Sequence, residues 1–424
     1  MTARVAIIGG GWAGCAAGLS LAEAGVVVAL FEASNTLGGR ARGLQLNGLS
    51  LDNGQHLLLG AYEHTLGLIA KVWPDSNEAL LRLPLALEQP PDFLLSCPRL
   101  PAPFHLLAGL LTAKGLTVWD KLAAARWMHS TLREPLANDI SVAMLLAAQP
   151  QKVRALLWEP LCVAALNTPI AYASAKVFVE ILQSVFNQSC EKSDLLFPCC
   201  DLSQLFPEPA AKRMVALGSE VQLQTRITYL DSHATGFTLS TPHASHEFDR
   251  VIVAVAPQHV AKIGSAIPAL QELMAGIATY DYEAIATLYL QYPPDVRLRR
   301  PMLGLANGPA QFVFDRGPTH GQHGLLAVVA SAASHLSEQA SDWAVQARAQ
   351  LTKIAALPNP LWQKSIIEKQ ATYACRPQLY RPGNHTPLPG LFLAGDYTAG
   401  PYPATLESAT LSGVKSAQQV LNSL

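Results

Sequence analysis

The chain is poor in charge. Only 14 % of its 424 residues are Asp, Glu, Lys or Arg, against about 25 % in an average soluble protein. The 30 basic and 31 acidic side chains nearly cancel, so a basic field for nucleic acid is missing and no nucleic-acid partner is expected. Half of the residues are hydrophobic, yet no uninterrupted apolar run reaches the roughly 18 to 20 residues that a spanning helix needs. That combination points to a large apolar interior or a cavity for an apolar ligand. Cysteines are few and odd in number, seven, with no CxxC spacing. This argues against a disulfide framework or a metal site and for reduced, mostly buried thiols in a cytoplasmic protein. The adjacent Cys199 and Cys200 leave a redox pair open as an alternative. No repeat or low-complexity tract divides the chain.

Against these absences stands one dense stretch, residues 3–42. Val5 to Ile8 form a short apolar strand, Gly9, Gly11 and Gly14 a GxGxxG turn, and Trp12 to Gly25 carry apolar residues at helical spacing. A second strand, Val26 to Phe31, ends on Glu32. Gly9 allows the tight turn, Gly11 lets a pyrophosphate approach the backbone beside Ala13, and Gly14 lets the helix pack on the strand. The helix N-terminus offers free N–H groups and a positive dipole end to phosphates. Glu32 lies where a carboxylate can accept hydrogen bonds from a ribose diol. Strand, helix, strand and terminal acid in register predict a Rossmann-like dinucleotide site, against the alternative of a Gly-rich turn that merely packs tightly. The segment Ala13-Gly14-Cys15 has the look of a lipoprotein cleavage site, but the glycines break its apolar run and the βαβ unit continues through it, so export is not expected.

Leu37-Gly38-Gly39-Arg40 follows, a second glycine turn ending on a cation. At the other end, GLFLAGDYTAGPYPATLESA gives a strand (Leu391 to Ala394), a Gly395-Asp396 turn and a long helix beginning near Thr405. This pair of fingerprints resembles the flavoprotein superfamily of amine oxidases, protoporphyrinogen oxidase and carotenoid desaturases. The resemblance implies FAD, with Gly39 and Arg40 contacting it, Asp396 on the ribityl chain or pyrophosphate, the backbone at Thr405 and Leu406 facing the carbonyl edge of the flavin, and the residue at Val221 pairing with adenine through its backbone. No second GxGxxG occurs, so a built-in NAD(P)H domain is not expected and electrons must come from an external donor, NAD(P)H or a reductase.

Between the fingerprints, GLQLNGLSLDNGQHLLLG (43–60) alternates like a hairpin and presents Asp52 to His56 after a short strand. By resemblance Gly54 and His56 lie beside the flavin. His56 is then either a proton donor or a polar cap held by backbone. Leu83 to Ala125 is punctuated by proline. Phe104, Leu106, Leu107, Leu110, Leu111 and Leu116, closed by Lys114, Trp119 and Lys121, form either a membrane-facing helix pair over residues 100–121 or ordinary core. Helical patterns run through 120–190, residues 280–335 are strand-rich, and a helix is predicted over 341–356. The expected class is α/β: an FAD-binding domain with a parallel sheet (1–75, 205–265, 385–424) and a discontinuous α+β substrate domain (76–204, 266–384) with a mixed or antiparallel sheet and a helical lobe.

Internal phrases narrow the resemblance further. LDNGQHLLLGAY, PRLPAPFHLLAGLL, EPLCVAALNTP, DLSQLFPEPAA, ATLYLQYPP, RPMLGL and AGDYTAGPYPATLESA resemble the hydroxysqualene dehydroxylases of bacterial hopanoid pathways. That family implies hydride transfer from reduced FAD to an allylic carbon of a long-chain isoprenoid as its hydroxyl leaves as water. The chemistry needs an apolar tunnel, a buried acid for the leaving oxygen, and aromatic faces for an allylic cation. Candidate acids are Asp281, Glu283, Glu159 and His56. Candidate aromatics are Tyr280, Tyr282, Tyr289 and Tyr402, whose spacing equally suits core. A carotenoid-type desaturase or an amine oxidase is the alternative on the same scaffold. Against the second, no lysine occurs between Lys262 and Lys353, where the cavity sheet is expected. A non-enzymatic prenyl-lipid escort protein is the alternative of another class. The location expected is cytoplasmic, on the inner face of the membrane if residues 100–121 touch it.

Overall fold

The structure is a computed structural model that describes residues 3–186, 188–264, 267–336 and 340–424. Four short strands with fully apolar cores build a parallel sheet together with a polar edge strand. The order is Glu220–Gln222, Val28–Phe31, Val5–Ile8, Arg250–Val253 and Leu391–Leu393. Val5–Ile8 lies in the middle, with all four residues buried. Such near-continuous apolar runs are what a sheet covered on both faces demands.

On one face the helix Trp12–Glu23 lies against the helix Leu406–Asn422, so the two ends of the chain pack together. Their approach is close because Gly413 has no side chain: a Cβ there would sit 2.2 Å from the carbonyl oxygen of Ala13. The other face carries Pro257–Gly264 and Gln271–Ala278, whose Val260, Ile263, Leu273, Met274 and Ile277 share a core with Ile8, Phe31, Val251 and Val253. The expected handover between the two domains, at 265 and 266, falls outside the described residues. A three-stranded antiparallel sheet, 229–233, 236–240 and 245–248, follows the edge strand Glu220–Gln222 along the chain.

The second sheet is antiparallel throughout: Met302–Gly304, Phe312–Asp315, Leu325–Ala330, Tyr282–Gln291 and Trp362–Tyr373. Its edge strand, Trp362–Tyr373, is absent from the sequence reading. Gln363, Lys364, Lys369 and Gln370 are exposed, and charge on an edge strand is how sheets avoid pairing with strangers. The sheet has two unlike faces. Ala284, Ala286, Leu288 and Leu290 pack under the helix Ala340–Thr352 through Trp343, Ala347 and Leu351. Tyr289, with Ile285, Trp362 and Ile366, turns the other way, towards Leu51, Leu57, Leu195 and Phe197.

In the helical lobe, residues 100–121 carry apolar side chains both in the core and at the surface. Leu106, Leu110 and Leu116 are buried, whereas Phe104, Leu107, Leu111, Val118 and Trp119 are exposed, Trp119 by 80 %. The helix Phe104–Thr112 therefore has an apolar residue on both of its sides. The helix Val118–Thr131 starts on a capping box of Thr117 and Asp120, and Lys121 ties the pair by donating to the Leu111 carbonyl at 2.7 Å. Leu106, Leu110, Met128, Leu157, Trp158 and Phe186 line a narrow apolar void of about 30 Å³. Among the described residues, no helix is long and apolar enough to cross a membrane.

Replacing Gly413 with valine is expected to push the two terminal helices apart and to destabilise the protein by about 1–3 kcal/mol, the usual range for overpacking. Urea unfolding followed by circular dichroism checks this, and an unchanged midpoint would contradict the close packing of those helices.

Candidate functional site

The first glycine turn is tight for steric reasons that the structure makes explicit. Gly9 has φ +110°, and a Cβ there would lie 2.7 Å from the Ala254 carbonyl oxygen. A Cβ on Gly14 would sit 1.9 Å from the oxygen of Gly9. Gly11 differs: the nearest atoms to its would-be Cβ, Gly39 Cα and the Gly38 oxygen, are 3.8 and 4.0 Å away. That spare room lies at the N-terminus of a helix with no acidic residue in its first turn and no side-chain cap, where backbone N–H groups lack partners. The arrangement fits a pyrophosphate. Gly38 N–H bonds to the Gly10 oxygen at 2.9 Å, so the second glycine turn lies directly over the first.

Glu32 accepts from the Gly10 N–H at 2.7 Å and the Ser34 N–H at 2.8 Å. The carboxylate is thus held at the strand tip beside the loop. Val221, paired with Leu30, lines a recess of about 440 Å³ with Asn35, Thr36, Leu37 and Leu223.

Arg40 and Asp396, 356 positions apart in sequence, form an ion pair at 2.5 Å. Burial disfavours the guanidinium charge, and the Asp396 carboxylate overrides it, holding Arg40 above its ordinary value. A second guanidinium nitrogen donates to the Ala371 carbonyl at 3.0 Å, which brings in the edge strand of the antiparallel sheet. Asp396 is buried, and its own carbonyl accepts from the Tyr373 hydroxyl at 3.0 Å and from Ser408 at 3.3 Å. Thr405 caps the Leu406–Asn422 helix by accepting from Ser408 N–H, so the amides of the first turn, from Leu406 onward, point out of a second helix N-terminus. Glu407 in that turn is buried and accepts from the His64 and Thr65 amides at 3.0 and 2.8 Å.

Residues 52–56 lie between the fingerprints and the sheet. Asp52 and Arg316 are both buried and meet at 3.4 Å, while Arg316 also donates to Gln55 at 2.9 Å and to the Ser50 carbonyl at 3.2 Å. Burial raises Asp52 to about 6, with Arg316 opposing the rise. His56 is half-buried, its Nδ1 lies 2.7 Å from the Gly54 carbonyl, and burial lowers its pKa. A carbonyl only accepts, so in the neutral ring Nδ1 carries the proton and Nε2 keeps a lone pair. Thr287 Oγ1 lies 4.0 Å from the position of a Gly54 Cβ and is buried without a hydrogen-bond partner among the described residues.

The other candidates separate. Asp281 is largely exposed and pairs with Arg376 at 2.9 Å. Glu283 is buried and accepts from the hydroxyls of Tyr172 and Ser334, the latter at 2.6 Å. Glu159 is exposed. Tyr280 donates to the Tyr380 carbonyl at 2.8 Å and Tyr289 to the Asp52 carbonyl at 2.9 Å, as packed core residues do. Tyr402 has φ +54° and meets Tyr62 edge to face at 5.7 Å. All seven cysteines are free, and burial pushes Cys200 up to about 12, far from a reactive thiolate. Lys364 lies on the antiparallel sheet, opposite Tyr289, so the sheet is not free of lysine as the 262–353 window suggested.

Fold and site together define an FAD oxidoreductase with a two-part cofactor fingerprint. The chain belongs to the flavin containing amine oxidoreductase family, which matches residues 12–421. It is 26 % identical over 437 residues to the hydroxysqualene dehydroxylase of Sinorhizobium fredii, covering 100 % of this chain and 99 % of that protein. It is 24 % identical over 486 residues to the zeta-carotene desaturase of Synechocystis sp., covering 99 % of this chain and 97 % of the other. A solved oxidoreductase from Methanosarcina mazei superposes with a TM-score of 0.76 at 17 % identity, covering 98 % of this chain and 100 % of that one, which establishes the shared fold. The resemblance to hydroxysqualene dehydroxylases and the expectations of FAD and an α/β fold are borne out, and membership of an oxidoreductase family sets the escort reading aside.

The Asp52 pKa carries a pH signature. A carboxyl raised from its ordinary value near 4 to about 6 in the folded state contributes most below pH about 4, and that contribution is lost as pH rises through 6. The stability difference between the wild type and Asp52→Asn should therefore drift across pH 4–6.5 and level off above it. Urea midpoints across that window test this, and a constant difference would count against it.

Proposed function

We propose that this protein carries out the FAD-dependent reductive dehydroxylation of hydroxysqualene to squalene, a step of hopanoid or isoprenoid biosynthesis. The observation that carries the reading is the end-to-end similarity to a hydroxysqualene dehydroxylase. The ion-poor composition and the apolar face formed by Ile285, Ile366, Trp362 and Leu57 agree with a hydrocarbon substrate.

In this reading Gly9, Gly11, Ala13 and Gly14 cradle the pyrophosphate, Glu32 holds the adenosine ribose, and Val221 borders the adenine. Gly39, Arg40, Gly395 and Asp396 hold the ribityl and phosphate region. Gly54 would leave room for the ring edge, and the amides at Thr405 and Leu406 would offer donors to its carbonyls, which would favour negative charge there. Bound FAD, once reduced by an external donor such as NAD(P)H or a reductase, supplies the hydride. The protein excludes water, orients the allylic carbon, and delivers a proton to the departing oxygen. Residues 1–75, 205–265 and 385–424 form the cofactor domain and 76–204 and 266–384 the substrate domain, with 267–280 packed on the cofactor side.

The test is anaerobic. Reduced protein mixed with hydroxysqualene should reoxidise its flavin and yield stoichiometric squalene. Oxidised flavin bleached instead by squalene or phytoene, with no squalene formed in the first experiment, would favour the desaturase direction found in the relatives.

Peripheral membrane contact is part of the proposal. Phe104, Leu111, Val118 and Trp119 are exposed next to Lys114 and Lys121, a pairing of apolar and basic side chains that suits an anionic bilayer surface. Changing Phe104, Leu111 and Trp119 together to serine should weaken flotation with anionic vesicles roughly 100-fold. Equal flotation of the triple variant would remove the membrane from the reading.

A further inference from the structure

Hydroxide is a poor leaving group, and the reaction proposed above needs an acid facing the substrate. The carboxylates singled out from sequence are engaged or turned away. Asp281 is paired in solvent, Glu283 accepts two hydroxyl bonds, and Glu159 is exposed. Asp52 and Asp396 are held by Arg316 and Arg40.

A different carboxyl stands at the site. The antiparallel register pairs Ile285 with Glu368 and Thr287 with Ile366, and directly opposed residues on neighbouring strands share a face. That face is the one bearing Ile285, Tyr289, Trp362 and Ile366, turned towards Leu51 and Leu57 and away from the Ala340–Thr352 helix. Glu368 is half-buried and, among the described residues, makes no ion pair. Its one hydrogen bond is a long one, 3.5 Å, accepted by Oε2 from the Asn53 amide. Asn53 is itself held, donating to the Arg40 carbonyl at 2.9 Å and accepting from the Arg42 N–H at 3.1 Å. Glu368 therefore faces the junction of the second glycine turn and the 52–56 loop. Beside it Thr287 Oγ1 is buried with no hydrogen-bond partner among the described residues, a polar group to which a substrate oxygen would give the bond those residues do not.

We propose that Glu368 is the proton donor for the leaving oxygen and that the Thr287 hydroxyl orients that oxygen. The assignment rests on the dehydroxylase reading. Oε2 faces the Asn53 amide, which leaves Oε1 as the donating oxygen. As the allylic C–O bond breaks, the oxygen takes that proton and leaves as water, and the carbon takes a hydride from reduced flavin. The substrate gains two electrons, the flavin loses two, and Glu368 is left as a carboxylate to be reprotonated from solvent.

The experiment uses the flavin-loaded full chain as wild type, Glu368→Gln and Glu368→Asp, reduced anaerobically and mixed with hydroxysqualene. Glu368→Gln should reoxidise more slowly by a factor on the order of 10² to 10⁴, the usual worth of a positioned acid, and Glu368→Asp should retain part of the rate. Two further readouts separate proton donation from a structural role. An ester of hydroxysqualene with a weakly basic leaving group needs no proton and should react equally with wild type and Glu368→Gln. Squalene binding to the oxidised flavoprotein, followed by the flavin absorbance, should be the same in both. If wild type converts hydroxysqualene and Glu368→Gln matches it within about twofold, the assignment falls and the dehydroxylase reading stands. An ester reaction slowed as much as that of the alcohol also overturns it. If wild type forms no squalene, the dehydroxylase reading falls and takes the assignment with it.

Discussion

Much of this architecture depends on one ion pair, Arg40 with Asp396. A guanidinium and a carboxylate shielded from water are stable only when each finds the other in good geometry, since losing one partner strands a buried charge. Here the partners come from the second glycine turn and from the last strand–helix turn, 356 positions apart. The second hydrogen bond of Arg40, to the Ala371 carbonyl, adds the edge strand of the antiparallel sheet. Three distant parts of the chain thus meet at one side chain.

Arg316 does the same service one layer up. It is fully buried, and its donors hold Asp52, Gln55 and the Ser50 carbonyl, so the loop that carries Gly54 and His56 is pinned to the antiparallel sheet. Among the described residues, Thr287 keeps a buried hydroxyl without a hydrogen-bond partner and Glu368 a loosely held carboxyl, two groups that a ligand could complete. In a chain with so few charges, a half-buried carboxyl without a cation is informative for that reason.

The helix Phe104–Thr112 shows why two contrary readings of one stretch both had merit. Leucines at helical spacing occupy its inner side, and Phe104, Leu107 and Leu111 occupy its outer side. A helix apolar all round is expected of a fully buried element or of one lying against lipid. Periodicity alone does not tell these apart, because it does not say what lies opposite each side. The strand Trp362–Tyr373 failed for the opposite reason: its charged residues mask a β pattern whose meaning is set by its position at a sheet edge.

Local steric rules made the first βαβ unit, the second glycine turn and the final strand, turn and helix legible from residues alone, since Gly9, Gly14 and Gly39 each answer to a backbone contact a few atoms away. Resemblance of short phrases carried the choice of FAD and of a family. Pairings across hundreds of residues belong to tertiary structure: Arg40 with Asp396, Asp52 with Arg316, and Glu368 beside Ile285 on the face that looks towards the 52–56 loop. A sequence records which side chains can ionise or hydrogen-bond. Which of them are desolvated, matched or left without a partner is decided only when sheet register and helix packing bring them together.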